Sequence, residues 1–345
     1  MKSKTQQKII LNLVVLVVII GIIIYVLKNS LKDILSELGH TDPLILVAVI
    51  GLGLGYQLFE GWSIRSIVHG FSKRFRIVDG MRTAFQVAFY RVITFGFGTF
   101  ISEVNFYTRN DLKISQGIGV TSLHLIMYKV AILTYALISL CIQFSSMYAD
   151  AQQLIVLIFI GMLVTGLIIG FFLAISMSLN LQVFFLFLCN KWEKPLKLRQ
   201  KIDQFNLQIY SLRETVSSII HDRSALLKIY GLSLVKIFCW YLLPYVCLVQ
   251  DHPELNFIDI FSLISFTLIL SGVIPSPAGI GSFEFVYLFL FTPFVGTVDA
   301  VSSMLLYRFA SYVLPFLLGF IGMLVDRKRV ISSELALLKQ EKQTK

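Results

Sequence analysis

The chain has 345 residues, 56% of them hydrophobic and only 14% charged, with a mean hydropathy of +0.79. A water-soluble domain carries about a quarter charged residues, so the composition excludes a soluble globule, a disordered chain and a coiled coil. It leaves an all-α polytopic membrane protein, with room for about seven to nine crossings of ~20 residues each. The net charge is +10, from 30 Lys and Arg against 20 Asp and Glu. In so apolar a chain that excess reads as cytoplasmic loops facing anionic lipid, and no nucleic-acid partner is expected.

Lys2, Lys4 and Lys8 precede an apolar run over residues 9–27. The run is too long for the apolar part of a cleaved signal, and no small-residue cleavage pattern follows. It predicts a first transmembrane helix with its N-terminus inside. Further crossings are predicted over residues 44–64, 117–144, 154–176, 229–249 and 301–325, which makes six. Two stretches are ambiguous by length, residues 83–107 and the pair 258–273 with 282–295.

Loop charge sets the orientation. Residues 65–82 hold Arg65, Lys73, Arg74, Arg76 and Arg82 against Asp79, residues 191–228 hold eight basic residues, and the tail opens with Arg327, Lys328 and Arg329. These three regions are predicted to be cytoplasmic. Residues 145–153 and 250–257 carry Asp150, Asp251 and Glu254 without any Lys or Arg, and are predicted to lie outside. Parity then decides the ambiguous stretches. A single crossing by 83–107 would put the eight basic residues of 191–228 outside, so 83–107 enters from the cytoplasm and returns to it. Residues 258–295 leave from the outside and come back to it, as two full crossings or as a re-entrant hairpin. The domain is predicted over residues 1–328, with a cytoplasmic tail over 329–345. An amphipathic helix on the inner surface is predicted over 198–220, and residues 330–340 have a similar pattern.

Both returning segments turn at glycines. The first passes through Gly96, Gly98, Thr99, Ser102 and Glu103, the second through Pro275, Pro277, Gly279, Gly281, Ser282 and Glu284. Each has Gly-x-Gly, a hydroxyl residue and a glutamate, and the two enter from opposite sides. That is the pattern of an inverted repeat whose broken helices meet near the midplane. Pro275 and Pro277 are expected to end the descending half-helix, and Ser282 to cap the next one. The free N–H groups of that helix start would favour an anion such as phosphate.

Charge inside the bilayer is costly, about 2.5–3.5 kcal/mol on insertion scales, so Glu103 and Glu284 require partners, protonation or a cavity. Arg308 and Arg91 are candidate partners. Lys129 sits mid-way along its helix beside Tyr128; it either serves a ligand or pairs with Glu103. His124 does not share the Lys129 face and reads as a hydrogen-bonded core histidine. Lys236 reads as a side chain that snorkels to the surface, and Glu60 as an interfacial anchor. The block from Arg109 to Lys113 either receives a lipid head at the inner surface or is a solvated loop. Cys141, Cys189, Cys239 and Cys247 all lie in apolar stretches. Cys239 and Cys247 are ~12 Å apart along one helix, too far for a disulfide, and no Cys/His spacing suits zinc. No P-loop, Gly-x-Ser-x-Gly elbow or His-Glu-x-x-His occurs, so no catalytic residue, metal or cofactor is expected.

The run from Pro275 to Glu284 matches the Pro-x-Pro-x-Gly-(Ile/Leu)-Gly-x-x-Glu motif of the bacterial lysylphosphatidylglycerol synthase transmembrane region, the flippase-like (UPF0104) family. Tyr307 and Arg308, followed by Pro315 and Gly319, resemble its last helix. Ser102 and Glu103 with Arg109 resemble its first segment, where Gly96 and Gly98 stand in for a stretch usually richer in proline. The resemblance covers about residues 5–328. It implies a membrane domain that handles a lipid with a polar head, and in two-domain members movement of lysyl-phosphatidylglycerol between leaflets in resistance to cationic peptides. Aminoacyl transfer belongs there to a separate soluble domain, for which the ~20 residues after Val325 leave no room.

The expectation is therefore a flippase-like transporter of a phospholipid or lipid-linked head group in the bacterial cell membrane, both termini cytoplasmic. The alternatives are a membrane component of a lipid-modifying enzyme, such as a phosphatidylglycerol lysyltransferase or glycosyltransferase system with a soluble transferase partner, and a scaffold without transport. In the transporter, Gly279, Gly281 and Ser282 offer backbone donors, Lys129, Arg91 or Arg308 offset phosphate charge, and Glu103 and Glu284 set selectivity or carry a coupled proton.

Overall fold

Every regular element in the computed structural model is a helix, among the residues it describes: 32–94, 96, 98–150, 152–177, 216–217, 222–276, 279–325 and 328. The predicted first crossing (9–27), the amphipathic stretch 198–220 apart from 216–217, Pro277, Cys189 and the tail 329–345 lie outside those residues.

Local signals place the helix ends. The Asp42 carboxylate accepts from the Leu44 N–H at 2.7 Å, and Pro43 opens α1, Pro43–Val68. Pro suits that position because its missing N–H would have had no partner there. Asp79 accepts from the Arg76 N–H at 2.9 Å and starts α2, Ile77–Ile93. After a break comes α3, Thr99–Arg109. Two long apolar helices follow, α4 (Ile114–Asp150) and α5 (Gln152–Met177). Asp222 caps α6, Arg223–Leu248, and Asn256 caps α7, Phe257–Ser271. The last unit, α8, Ser282–Arg308, continues through a π-helical turn at Phe309–Val313 to Val325.

Five helices are long and apolar enough to cross a membrane: Pro43–Val68, Ile114–Ser145, Gln152–Ala174, Arg223–Leu248 and Ser282–Val325. They coincide with five of the six predicted crossings and establish a polytopic helical membrane protein. The last spans 44 residues, ~66 Å as one straight helix, which no bilayer accommodates. Gly296 breaks it, with φ 77° and ψ 169°, a conformation that only glycine adopts without strain. Residues 282–295 and 297–325 are thus separate rods.

The bundle has a basic and an acidic end. Ile64, Val68, Phe75, Tyr107, Leu112 and Ile229 share one apolar cluster, so the start of α2, the end of α3 and the start of α6 meet at one end. Arg65, Arg76 and Arg109 belong to this end. Both ends of residues 77–109 are therefore together. At the opposite end His252, before α7, bonds Asp299, just after Gly296, at 2.8 Å, which closes the 257–295 segment on itself. Glu37 accepts from Ser302 nearby.

Small residues set the tightest helix contacts, as is usual where lipid supplies no hydrophobic drive between helices. A Cβ added to Gly80 of α2 would lie 2.2 Å from the Gly61 carbonyl oxygen of α1. One added to Gly319 would lie 2.1 Å from the Phe85 carbonyl oxygen of α2. Cys141, Cys239 and Cys247 are unpaired.

Candidate functional site

The second turn and the last rod face a cavity of about 160 Å3, which the end of α2 reaches through Arg91. Its wall includes Arg91 of α2, Lys129 of α4, Trp240 of α6, Gly279 of the second turn, and Tyr307 and Arg308 of α8.

The second turn is held by α8. Gly279 and Gly281 have φ of +74° and +88°, left-handed values that explain why glycine stands at both. The Arg308 Nη2 donates to the Gly279 carbonyl at 2.7 Å, and Nε stands 2.6 Å from Glu284 Oε1. The latter contact is an ion pair without hydrogen-bond alignment. The other Glu284 oxygen accepts from the Gly281 N–H at 2.7 Å. The Arg308 guanidinium also lies over the Phe283 ring at 4.5 Å.

Three expectations change here. Ser282 does not cap the helix: Gly281 occupies the cap position, Glu284 three residues on supplies the acceptor, and Ser282 Oγ instead bonds Ser276 Oγ across the turn at 2.5 Å. The helix start is also not open to an outside anion at Gly281, because the Glu284 carboxylate already stands there. The descending helix ends at Ser271, with the Gly272 N–H on Leu268 O, four residues before Pro275. Pro275 thus lies beyond the helix end and does not terminate it.

The first turn is capped differently. Thr94 Oγ1 accepts from the Gly98 N–H at 2.9 Å and Thr99 Oγ1 donates to Gly96 O at 2.8 Å, with Gly96 at φ +86°. Glu103 falls five residues after Gly98, against three from Gly281 to Glu284, and turns away from the break. Ser102 bonds Thr99 O at 2.8 Å, and Arg109 is exposed at the end of α3.

Arg91 and Lys129 line the cavity with no ion pair among the described residues. Lys129 Nζ would lie 3.3 Å from a Cβ at Gly272, so its amine reaches the second turn. The Trp240 Nε1, Tyr307 OH and Tyr312 OH are buried without hydrogen-bond partners, in residues that also line the cavity. Trp Nε1 is a donor only. The described wall thus carries cations and spare donors and no carboxylate.

The expected pairing of Glu103 with Lys129 or Arg91 does not occur. Glu103 Oε1 instead accepts from Tyr107 OH at 2.7 Å and lies 3.2 Å from His124 Nδ1. His124 Nε2 lies 3.1 Å from Glu60 Oε2, and Lys236 Nζ contacts both that oxygen and, at 3.2 Å, His124 Nε2. Lys236 is fully buried (0% exposed), so it does not snorkel, and Glu60 is its partner rather than an interfacial anchor. His124 is hydrogen-bonded in the interior, as expected, but between two carboxylates. Helical spacing hides this group, because its members come from α1, α3, α4 and α6. The only sequence signal was that each is a charge inside an apolar run. Lys236 occupies the place of a cation, and among the described residues no group of His, Cys, Asp and Glu side chains is arranged to hold a metal.

A family model described as the lysylphosphatidylglycerol synthase TM region matches residues 9–319. A search of curated proteins found no match. The matched stretch takes in both broken segments, the cavity wall, four of the described spans and most of the fifth, and on that extent the chain belongs to the lysylphosphatidylglycerol synthase transmembrane-region family.

Proposed function

We propose that the chain is a flippase-type transporter that carries a phospholipid or lipid-linked head group through the cavity between its two broken segments. The observation that supports this best is the charge of the wall: Arg91 and Lys129 stand unpaired beside spare donors, with no carboxylate in the described lining. An unpaired cation inside a bilayer is costly, and a phosphate group offsets it. Ile274, Ile280 and Phe285, exposed beside the second turn, give acyl chains an apolar path outside the cavity.

In this reading the membrane frame has six crossings, with residues 83–107 and 258–295 dipping from opposite faces as an inverted repeat. The basic end faces the cytoplasm of a bacterium, together with both termini. Arg91, Lys129, Gly279, Ser282 and Arg308 contact the head group. Gly96, Gly98, Pro275, Pro277, Gly281 and Glu284 shape the turns, and Arg109 guides lipid at the inner surface. Family membership points to lysyl-phosphatidylglycerol, whose ammonium groups would lie on the Trp240 and Tyr307 faces.

The test is a leaflet assay in vesicles, with labelled phosphatidylglycerol and lysyl-phosphatidylglycerol as separate substrates and glycerol phosphate as a competitor without acyl chains. Lys129→Ala and Arg91→Gln are expected to slow transport at least about tenfold, the loss of one charge contact of ~1.4 kcal/mol, while the proteins remain folded. Wild-type rates in both variants would overturn the assignment. Competition by glycerol phosphate alone would identify free phosphate as the ligand. Because the family description names a synthase, the same preparation is given charged lysyl-tRNA. Lysyl-lipid formed only on addition of a soluble transferase would make the chain that enzyme's membrane component.

A further inference from the structure

The group around His124 contains one nitrogen with two incompatible partners. Nδ1 is committed: Glu103 Oε1 accepts from it at 3.2 Å and also from Tyr107 OH at 2.7 Å. Nε2 faces both an acceptor and a donor. Glu60 Oε2 lies 3.1 Å away and requires a proton on Nε2, whereas Lys236 Nζ lies 3.2 Å away and requires a lone pair there. A ring nitrogen offers one or the other, never both. With Nε2 bare, two carboxylates face one ammonium and the group carries a net charge of −1. With Nε2 protonated the group is neutral. The two states differ by one proton and very little movement.

The group is also close to the cavity. Lys236 Nζ is 5.5 Å from the Tyr128 ring and 6.0 Å from the Tyr56 ring, and Tyr56 stacks on Trp240 at 3.8 Å. Tyr128 and Trp240 both line the cavity. One layer of aromatic rings therefore separates the unpaired cations Arg91 and Lys129 from a group that is anionic when His124 is neutral. Charges interact strongly over such distances where water is scarce. The titratable groups facing His124 are Glu60 and Tyr56 of α1, Glu103 and Tyr107 of α3, and Lys236 of α6, with Tyr128 on its own helix. Arg91 of α2 stands beyond the ring layer. The side chains of His124 and Glu60 each retain 11% exposure, which leaves a route for a proton from water.

We infer that Glu60, His124, Lys236 and Glu103 form a proton-binding site that takes one proton from solution onto His124 Nε2 when an anion occupies the cavity. The inference rests on the cavity reading above. An empty cavity leaves Arg91 and Lys129 to oppose a second positive charge on His124. An anion beside them removes that opposition, and the proton follows. By reciprocity, a protonated group binds the anion more tightly. This moves the coupled proton from Glu284, which is engaged in holding its turn, to a histidine.

The experiment uses the full-length protein in detergent with His40, His69, His221 and His252 changed to Gln, which leaves His124 as its one histidine. Its ring nitrogens are followed by 15N NMR as pH is varied, without ligand and with short-chain phosphatidylglycerol as the probe. Lipid binding is measured independently by calorimetry. The expected result is a ring that passes from the one-proton to the two-proton form, with a midpoint about one pH unit higher when lipid is bound. This corresponds to roughly tenfold tighter lipid binding by the protonated form. A ring that keeps one protonation state throughout the folded range overturns the proton site. A ring that titrates at the same midpoint while calorimetry shows lipid bound overturns the coupling alone. Absence of lipid binding overturns the cavity reading and the coupling with it, and the titration without ligand still decides the proton site.

Discussion

The carbonyl of Gly279 accepts a hydrogen bond from the guanidinium of Arg308 at 2.7 Å, across a gap of 29 residues. The same guanidinium pairs with Glu284. One side chain thereby fixes both arms of the second turn. Lysine offers a single charged point where this geometry needs a planar fork. Arg308→Lys is therefore expected to keep the charge, lose the fork and reduce transport about tenfold or more, with a smaller effect on melting temperature. Gly279→Ala, at φ +74°, is expected to cost about 1–2 kcal/mol from the left-handed conformation alone. Thermal unfolding in detergent measures both.

Lys129 separates stability from function. It has no ion pair among the described residues, so Lys129→Ala removes a partly buried charge without orphaning a partner. Its melting temperature is expected to equal or slightly exceed that of the wild type, while phosphatidylglycerol binding weakens about tenfold. A large drop in melting temperature would show instead that the amine holds the fold together.

Glu60 and Lys236 are expected to behave in the opposite way. Removal of either partner of a buried pair leaves an uncompensated charge, at about 3–5 kcal/mol. Glu60→Gln and Lys236→Met should each destabilise strongly in denaturant titrations, and the double variant should recover at least about half of the sum. Additive losses would show that the pair is not the interaction that matters.

His252 gives a pH dependence at the acidic end. Its hydrogen bonds to Asp299 first, and then to Glu254, raise its pKa above the ordinary value. Protonated His252 donates to both at 2.8 and 3.0 Å. The stabilisation is therefore complete below the unfolded value of about 6.5 and is lost as pH rises through the higher folded value. Melting curves from about pH 6 upwards should show wild type losing more stability than His252→Gln across that window. Parallel curves would remove this bond from the account.

The crossings were legible in the sequence because length and hydropathy alone decide them, as the coincidence at 44–64, 117–144 and 154–176 shows. The helix breaks at Gly96 and at Gly279 and Gly281 were legible through their glycines. The pairing of charges was not. Arg308 was legible as a candidate partner for a buried glutamate because it is a charge inside an apolar run. His124, Glu60 and Lys236 were read separately, since four helices bring them together and no spacing along one helix encodes that. The two glutamates looked equivalent by motif, yet two residues of difference from the turn make one a helix cap and the other an interior acceptor.

The glycine contacts divide the molecule mechanically. Backbone meets backbone on two sides of α2, at Gly61 through Gly80 and at Phe85 through Gly319, and rigid packing of that kind does not slide by fractions of an ångström. The first broken segment is therefore clamped to its neighbours. The second turn is held to the last rod through the side chain of Arg308, and Gly296 hinges the rod that leaves it. The proposed transport cycle would therefore be lopsided, with α2 as its fixed jaw and the hairpin ending at Gly296 as the part that moves.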